Sequence, residues 1–362
     1  MNELTQIEVQ KAKVSAFRVV ARPVPVAADG EVVMRVDRFA VTANNVTYAV
    51  FGEAMKYWNF FPASEPDWGI VPVWGFADVI ESSCADVVVG ERFYGYFPMA
   101  SHIVLQPAKV TPAGFFDGVA HRRELHSVYN NYVRIASDPS YLAEREAEQM
   151  LLRPLFTTSF LIDDFLEDSK MFGAQSIVLS SASSKTAYGA AFCLHQRGSV
   201  RVVGITSERN RPFTEALGCY DQVLTYDEIP SLAVEPTAYV DLAGSATARL
   251  AIHTVLGDAL LYDCGVGGTH WDDIGGSSTM PGPRPQMFFA PAQVAKRTAE
   301  WGAAGFADRL STAWTSFLSN VVAAENPWMR VESVNGSQAV AECFVAQANG
   351  SAKPEIGYIA QV

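Results

Sequence analysis

Ser176-Ile-Val-Leu-Ser-Ser-Ala-Ser-Ser-Lys-Thr-Ala-Tyr-Gly-Ala-Ala-Phe-Cys-Leu194 is the stretch whose reading decides the fold. Ile177 to Leu179 is a short apolar run, the pattern of a strand buried on both faces of a parallel sheet. Ser180 to Ser184 are small, and Ser183 or Ser184 can cap a helix that opens at about Lys185. Ala187, Ala190, Ala191 and Leu194 give that helix an apolar face at spacings of three and four. A second buried strand is expected over Val200–Thr206. Strand, tight turn, helix and strand make the first half of a dinucleotide fold, with an anion site at the helix N-terminus.

The usual glycine fingerprint is absent, because Ser181, Ser183, Ser184 and Ala187 occupy its small-residue positions. Lys185 is informative. A cation in the first turn opposes the helix macrodipole by about 0.3–1 kcal/mol unless an anion sits there; a solvated surface lysine is the alternative. The Ser184-Lys-Thr186 ending is shared with nucleotide-triphosphate loops, but Leu179 and Ser184 stand where that motif requires glycine, which rejects it.

A chain of 362 residues points to two domains, and 49% hydrophobic against 18% charged residues describes a well-buried globular protein. A net charge of −12 argues against nucleic acid or an anionic membrane as partner. Cysteines 84, 193, 219, 264 and 343 lie far apart, so neither a disulfide framework nor a structural zinc site can be read from them. The first residues hold no basic stretch followed by an apolar one, and no run reaches membrane-span length. A reduced cytoplasmic location is the default expectation.

Residues 1–97 alternate like short strands with Gly and Pro turns, which predicts a mostly antiparallel, barrel-like first domain. Glu31-Val-Val-Met-Arg-Val-Asp37 after a glycine turn is followed by Val71-Pro-Val-Trp-Gly-Phe-Ala-Asp-Val-Ile-Glu-Ser82 and Val89-Gly-Glu-Arg-Phe-Tyr-Gly-Tyr96. In that order these pieces resemble the medium-chain dehydrogenase/reductase superfamily. Thr206–Gly218, Asp221–Tyr226, Tyr239-Val-Asp-Leu-Ala-Gly244 and Ala259–Val266 resemble its later Rossmann strands and helix, and Ala339–Ala360 resembles its closing helix and strand. Ala43-Asn-Asn-Val-Thr-Tyr48, Tyr57-Trp-Asn-Phe-Phe-Pro62 and the serine loop resemble a narrower, uncharacterised branch. The resemblance implies a GroES-like β-barrel domain over 1–150, completed by about 325–362, and a Rossmann doubly wound parallel sheet over 151–324. It also implies, by analogy, a homodimer.

The departures matter equally. Zinc members carry a Cys near Val41–Asn45 and a His-Glu pair near Gly75; this chain has neither, so the resemblance implies no catalytic zinc, and carbonyl activation falls to hydrogen bonding. Asp138–Leu152 is expected as a capped helix starting near Pro139, followed by a separate apolar helix over Leu151–Leu166. Residues 275–285 are expected as a loop.

The serine loop, with Ser181, Ser183, Ser184, Lys185 and Thr186, is the candidate pyrophosphate site. Thr206, Ser207, Arg209 and Arg211 fit a ribose 2′-phosphate and favour NADP(H) over NAD(H), although Glu208 argues the other way; a solvated helix start is the alternative for the two arginines. Tyr226 and Gly244 resemble superfamily nucleotide contacts, and Gly265 to Gly268, with Val266, would admit a nicotinamide ring. On the substrate side Asn44, Asn45 and Tyr48 are the leading catalytic candidates, with Tyr129 and Asn130 behind them, as donors to an oxyanion. The alternative is that both Asn44 and Asn45 satisfy turn backbone. Trp58, Phe60, Phe61, Trp68 and Trp74 line either an apolar cleft for an aromatic or acyl substrate or ordinary barrel core. His102, His121 and His126 are acids without a visible partner. The expectation is an NADPH-dependent reductase of a carbonyl, quinone or enone; a lyase or isomerase with no net redox change, and a non-enzymatic NADPH-responsive binding protein, remain as alternatives.

Overall fold

A computed structural model describes residues 3–266, 280–323 and 325–362. Gly267, Gly268 and the first part of the expected 275–285 loop lie outside the described residues. The chain divides into two compact units, Met1–Leu151 with Arg330–Val362, and Leu152–Met329.

The first unit begins with β1 (Glu3–Gln10), β2 (Lys13–Pro23) and β3 (Val32–Val41), then a short helix α1 (Ala43–Val50). It continues through β4 (Trp68–Gly69), β5 (Pro72–Ser82), β6 (Arg92–Pro98), β7 (His102–Leu105), β8 (Pro107–Thr111), β9 (Gly114–Asp117) and β10 (Asn131–Arg134). In the second unit β11 (Ser176–Leu179), β12 (Arg201–Thr206), β13 (Gln222–Thr225), β14 (Thr237–Asp241), β15 (Leu260–Gly265) and β16 (Gln286–Met287) alternate with helices. These are α2 (Glu146–Asp168), which carries the chain out of the first unit, α3 (Lys185–Arg197), α4 (Arg211–Ala216), α5 (Ala246–Leu256) and α6 (Ala290–Val321). The chain closes in the first unit with β17 (Arg330–Asn335), α7 (Ser337–Ala348) and β18 (Ile356–Gln361).

In the second unit the strand order is β13-β12-β11-β14-β15-β16, every pair parallel. The chain winds outward from β11 to β13 and then returns to β14, so β11 and β14 flank a topological switch point, where α/β sheets of this kind hold ligands at the strands' C-terminal ends. All four residues of β11 are buried, as a strand covered by helices on both faces must be. Ser184 caps α3, its Oγ accepting the Ala187 N–H. Trp314, Phe317 and Leu318 face inward from α6, and Phe317 stacks on Phe156 of α2 at 4.4 Å.

In the first unit β17-β18-β3-β5-β6-β10-β9-β8 form one sheet, with β7 also on β3; β2-β1-β4 form another. The C-terminal β18 pairs antiparallel with β3, Ile359 opposite Ala40. Alternate residues of β3, β5 and β6 fill the interior, Met34, Val73 and Phe93 among them. Among the described residues no helix is long and apolar enough to cross a membrane.

The expected helix boundary near Pro139 is corrected. Asp138 Oδ1 accepts from Ser140 N and Oγ, closing a turn, and a 3₁₀ turn over Ala143–Arg145 then leads into Glu146. There α2 begins and runs to Asp168 without a break at Pro154. The Glu146 carboxylate is held by Arg38 at 2.7 Å and Arg92 at 2.8 Å, which fixes the helix start.

Gly204 sets the depth of the serine loop. A Cβ there would lie 2.9 Å from Ala182 Cβ and 2.8 Å from the Tyr220 ring. Tyr220 in turn donates its hydroxyl to Ala182 O at 2.8 Å. Gly204→Ala is therefore expected to cost about 1–3 kcal/mol through overpacking, read from urea unfolding; a variant as stable as the parent would overturn this account.

Candidate functional site

Ser181 has φ +52°, the left-handed conformation that costs a non-glycine residue about 1–2 kcal/mol. The glycine missing from the fingerprint is thus missing at a position that still requires glycine-like backbone, and such strain concentrates at functional sites. Hydrogen bonds hold the turn. Ser181 N–H donates to Tyr226 Oη at 3.2 Å, Ala182 N–H to Ile205 O at 2.9 Å, and Asn210 Nδ2 to Ser183 Oγ at 3.0 Å. Burial raises the Tyr226 phenol above its ordinary pKa, so it stays a neutral hydroxyl beside the loop. Lys185 and Thr186 open α3, whose positive dipole end faces the serine turn, and Thr186 O accepts from Ser159 Oγ.

The residues after β12 divide. Thr206 is buried, Ser207 half-buried and Arg209 exposed. Arg211 is engaged elsewhere: its Nη1 meets both Glu228 carboxylate oxygens at 3.0 Å and its Nε meets Glu215 at 3.0 Å. Glu208, between Ser207 and Arg209, is exposed as well. At the other strand ends, Gly244 has φ +64° and donates to Asp241 Oδ1. Gly265 O accepts from Phe288 N, and Val266 N donates to Asp241 O.

In the first unit α1 brings a hydroxyl cluster together. Tyr48 Oη accepts from Asn44 Nδ2 at 2.7 Å and from Trp74 Nε1 at 3.0 Å. Tyr129 Oη lies 3.3 Å from Tyr57 Oη, and the rings of Tyr48, Tyr57, Tyr96, Tyr129 and Trp74 pack edge-on or tilted at 4.7–6.1 Å. Desolvation raises the pKa of Tyr48, Tyr57, Tyr96 and Tyr129, in each case as the leading cause. Tyr96 Oη is buried and, among the described residues, has no hydrogen-bond partner, an orphaned hydroxyl of the kind a ligand oxygen satisfies.

Several expected residues are placed differently. Asn45 is 2% exposed; its Oδ1 accepts the Thr42 N–H and its Nδ2 donates to Pro72 O, so it caps α1 and has no amide to offer a substrate. Asn130 is buried and donates to Arg122 O. Trp58 is core, clasped between Gly52 and Gly69, where any Cβ would collide with its indole. Phe61 is also buried, Trp68 lies under the Arg18 guanidinium at 4.2 Å, and of the five aromatics Trp74, Phe60 and Phe61 pack against the hydroxyl cluster. His102 and His121 line a cavity of about 200 Å³ with Phe60, Asp117 and Arg122, and His126 caps the turn at Val128. Tyr57, absent from the expected set, joins the cluster; its place beside Trp58 in an aromatic run concealed it.

Tyr129 is presented by a segment pinned from below. Arg122, 1% exposed, bonds Asp117 Oδ2 at 2.6 Å, Tyr132 Oη at 3.1 Å and Tyr129 O at 3.4 Å. Its guanidinium lies 4.8 Å from the Phe61 ring centre. Arg122→Met leaves a buried carboxylate unpaired, at a cost of about 3–5 kcal/mol. Denaturant unfolding should show that loss, and Asp117→Asn added to it should recover most of the stability; no recovery would mean that the pair does not carry the effect.

Over nearly its whole length the chain is similar to two crystal structures of CurA from Vibrio vulnificus, one of them in complex with NADPH. Each match has 14% identity and a TM-score of 0.63, with 99% of this chain covered and 98% and 99% of those chains. The yhdH oxidoreductase from Salmonella enterica in complex with NADP matches at 14% identity and TM-score 0.53, covering 99% of each chain. At these identities the likeness is one of fold, and the fold is that of the medium-chain dehydrogenases/reductases, with GroES-like and Rossmann domains. No curated protein matches. Residues 39–353 match the model described as a protein of unknown function (DUF2855), and the chain belongs to that family.

Proposed function

We propose that the protein is a zinc-independent, NADPH-dependent reductase of a carbonyl, quinone or conjugated enone, acting on a small aromatic or acyl substrate. The observation that carries this reading is the serine turn between β11 and α3, closed onto β12 at the switch point of the six-stranded sheet. The donor set fits a dinucleotide: small hydroxyl residues at a helix N-terminus for the pyrophosphate, and Ser207 with Arg209 for a 2′-phosphate. NADPH, when bound, supplies a hydride. Ser181, Ser183, Ser184, Lys185 and Thr186 would hold its pyrophosphate, with Gly265 and Val266 beside its nicotinamide. The CurA and yhdH structures solved with NADPH and NADP support this choice of nucleotide.

The hydroxyl cluster supplies the polar half of the reaction. An indole N–H can only donate, so the Tyr48 oxygen accepts from Trp74 and keeps its own hydrogen for another acceptor. Two N–H donors on one phenol oxygen polarise its O–H bond, which improves donation to oxygen charge that develops as hydride reaches the substrate. Tyr57 and Tyr129 extend that set of hydroxyls.

Calorimetric titration tests the reading first. NADPH should bind more tightly than NADH, and Lys185→Ala and Arg209→Ala should each weaken NADPH, the second with little change for NADH. Absence of binding to either nucleotide by the parent protein would end the proposal. Tyr48→Phe and Tyr57→Phe are expected to lower kcat by about 10²–10³-fold with NADPH affinity unchanged. Because burial raises these phenols' pKa values, they remain protonated donors through neutral and mildly alkaline pH. The kcat profile should therefore show no tyrosine-derived fall below about pH 10, the ordinary phenol value; a fall between pH 7 and 9 that Tyr48→Phe abolishes would contradict the assignment.

A further inference from the structure

Behind the serine turn lies a buried ionic quartet that nothing in the nucleotide reading requires. Asp241, at the end of β14, is fully buried. Its Oδ1 accepts from Ser180 Oγ at 2.7 Å, Ala243 N at 3.1 Å and Gly244 N at 3.0 Å. Ser180 Oγ itself accepts from Leu242 N and Ala243 N. Asp241 Oδ2 faces Arg249 Nη2 of α5 at 2.7 Å, and Arg249 Nε faces Asp263 Oδ2 of β15 at 3.1 Å. That same oxygen meets His253 Nε2 at 2.8 Å, and His253 Nδ1 meets Pro281 O at 2.6 Å. Arg249 thus lies between two fully buried carboxyl groups, and His253 between Asp263 and a backbone carbonyl. Buried carboxyl groups are costly unless basic side chains of this kind stand against them.

We propose that Asp241 is the positioning residue of the nucleotide loop, and that Arg249, backed by Asp263 and His253, occupies one of its oxygens and leaves the other to gather loop donors. The proposal rests on the reading that the serine turn holds NADPH. Ser180 immediately precedes the strained Ser181, and Gly244 sits in the left-handed region. One carboxylate oxygen therefore ties the turn after β11 to the turn after β14 across the switch point. The carboxylate does not touch the nucleotide; it fixes the backbone of both turns. Orientation of this kind acts on binding through preorganisation: turns held in shape before the ligand arrives need not be ordered by it.

The arrangement makes a specific demand. Asp241→Asn keeps one oxygen but sets an amide N–H₂ against the Arg249 guanidinium. Either donor faces donor, or the amide turns and its nitrogen faces Ala243 and Gly244. Removing the cation as well, in Asp241→Asn/Arg249→Met, lets the amide oxygen face the loop with nothing opposing it. The test is NADPH titration of the parent, Asp241→Asn and the double variant, alongside hydrogen exchange at the Ala243 and Gly244 amides and thermal unfolding. The expected result is that Asp241→Asn weakens NADPH about 10- to 100-fold, the scale of losing a hydrogen bond to a charged group, and that both amides exchange faster. The double variant should recover protection and most of the affinity. Unchanged affinity and protection in a folded Asp241→Asn variant would overturn the proposal, as would a double variant that unfolds like the parent yet recovers neither. If the parent binds no nucleotide while the exchange pattern follows the prediction, the positioning role stands and the reductase reading is what fails.

Discussion

The contact between Ala182 and the bare backbone of Gly204 governs how the second unit works. A turn that leaves β11 must pass over β12 before α3 can start, and the space for it exists because one strand residue has no side chain. With Ala182 seated there, its N–H reaches Ile205 O, and Tyr220 closes over the carbonyl. The chain then has no room to relax at Ser181 and takes a left-handed conformation. Helix α3 begins at Lys185 because Ser184 is delivered where its hydroxyl can cap it. Strain at one residue is thus balanced by packing and hydrogen bonds at its neighbours.

The first unit is governed by a different constraint, the burial of polar groups among aromatic rings. A phenol that enters an apolar cluster must find a partner for its hydroxyl. Tyr132 solves this by donating to Tyr96 O, and Tyr48 does so by accepting two N–H groups. The same logic explains Arg122, whose Nη1 and Nη2 find Asp117, Tyr132 and the Tyr129 carbonyl while its guanidinium lies over Phe61. Core and candidate site are here the same set of rings, differing in which hydroxyl groups are already spoken for.

That difference marks the boundary of what a sequence discloses. The strand–turn–helix unit was legible because Ile177–Leu179, Ser184 and the alanine face of α3 act over a few residues, within reach of propensity and capping rules. The Rossmann and barrel classes followed from the order of such pieces. Asn45 was misplaced because capping and catalysis ask for the same amide, and only the Pro72 carbonyl, 27 residues on, reveals which one holds it. Arg211 reads as a phosphate ligand until Glu228 is seen beside it. The Asp138 turn hid the start of α2 for a similar reason, since an acidic residue before Pro139 serves an isolated turn as well as a helix cap. Tyr57, Asp241 and His253 have no local signature, because their partners come from other strands and turns.

Serine in place of glycine changes the chemistry of the turn as well as its geometry. Glycine reaches the left-handed region at no steric cost and leaves only backbone N–H groups facing a phosphate. Here the N–H of Ser181 is already committed to Tyr226, and the Ser183 hydroxyl to Asn210. A nucleotide arriving at this turn meets a surface whose donors are partly tied to neighbouring elements. The hydroxyls add acceptor and donor capacity that glycines lack, at the cost of a residue held in an unfavourable conformation. For such a turn to bind tightly, its shape must be fixed before the ligand arrives, since little flexibility is left to adapt afterwards. A buried Asp241 side chain, backed by Arg249 and drawing two turns together, is the kind of support this substitution of serine for glycine calls for.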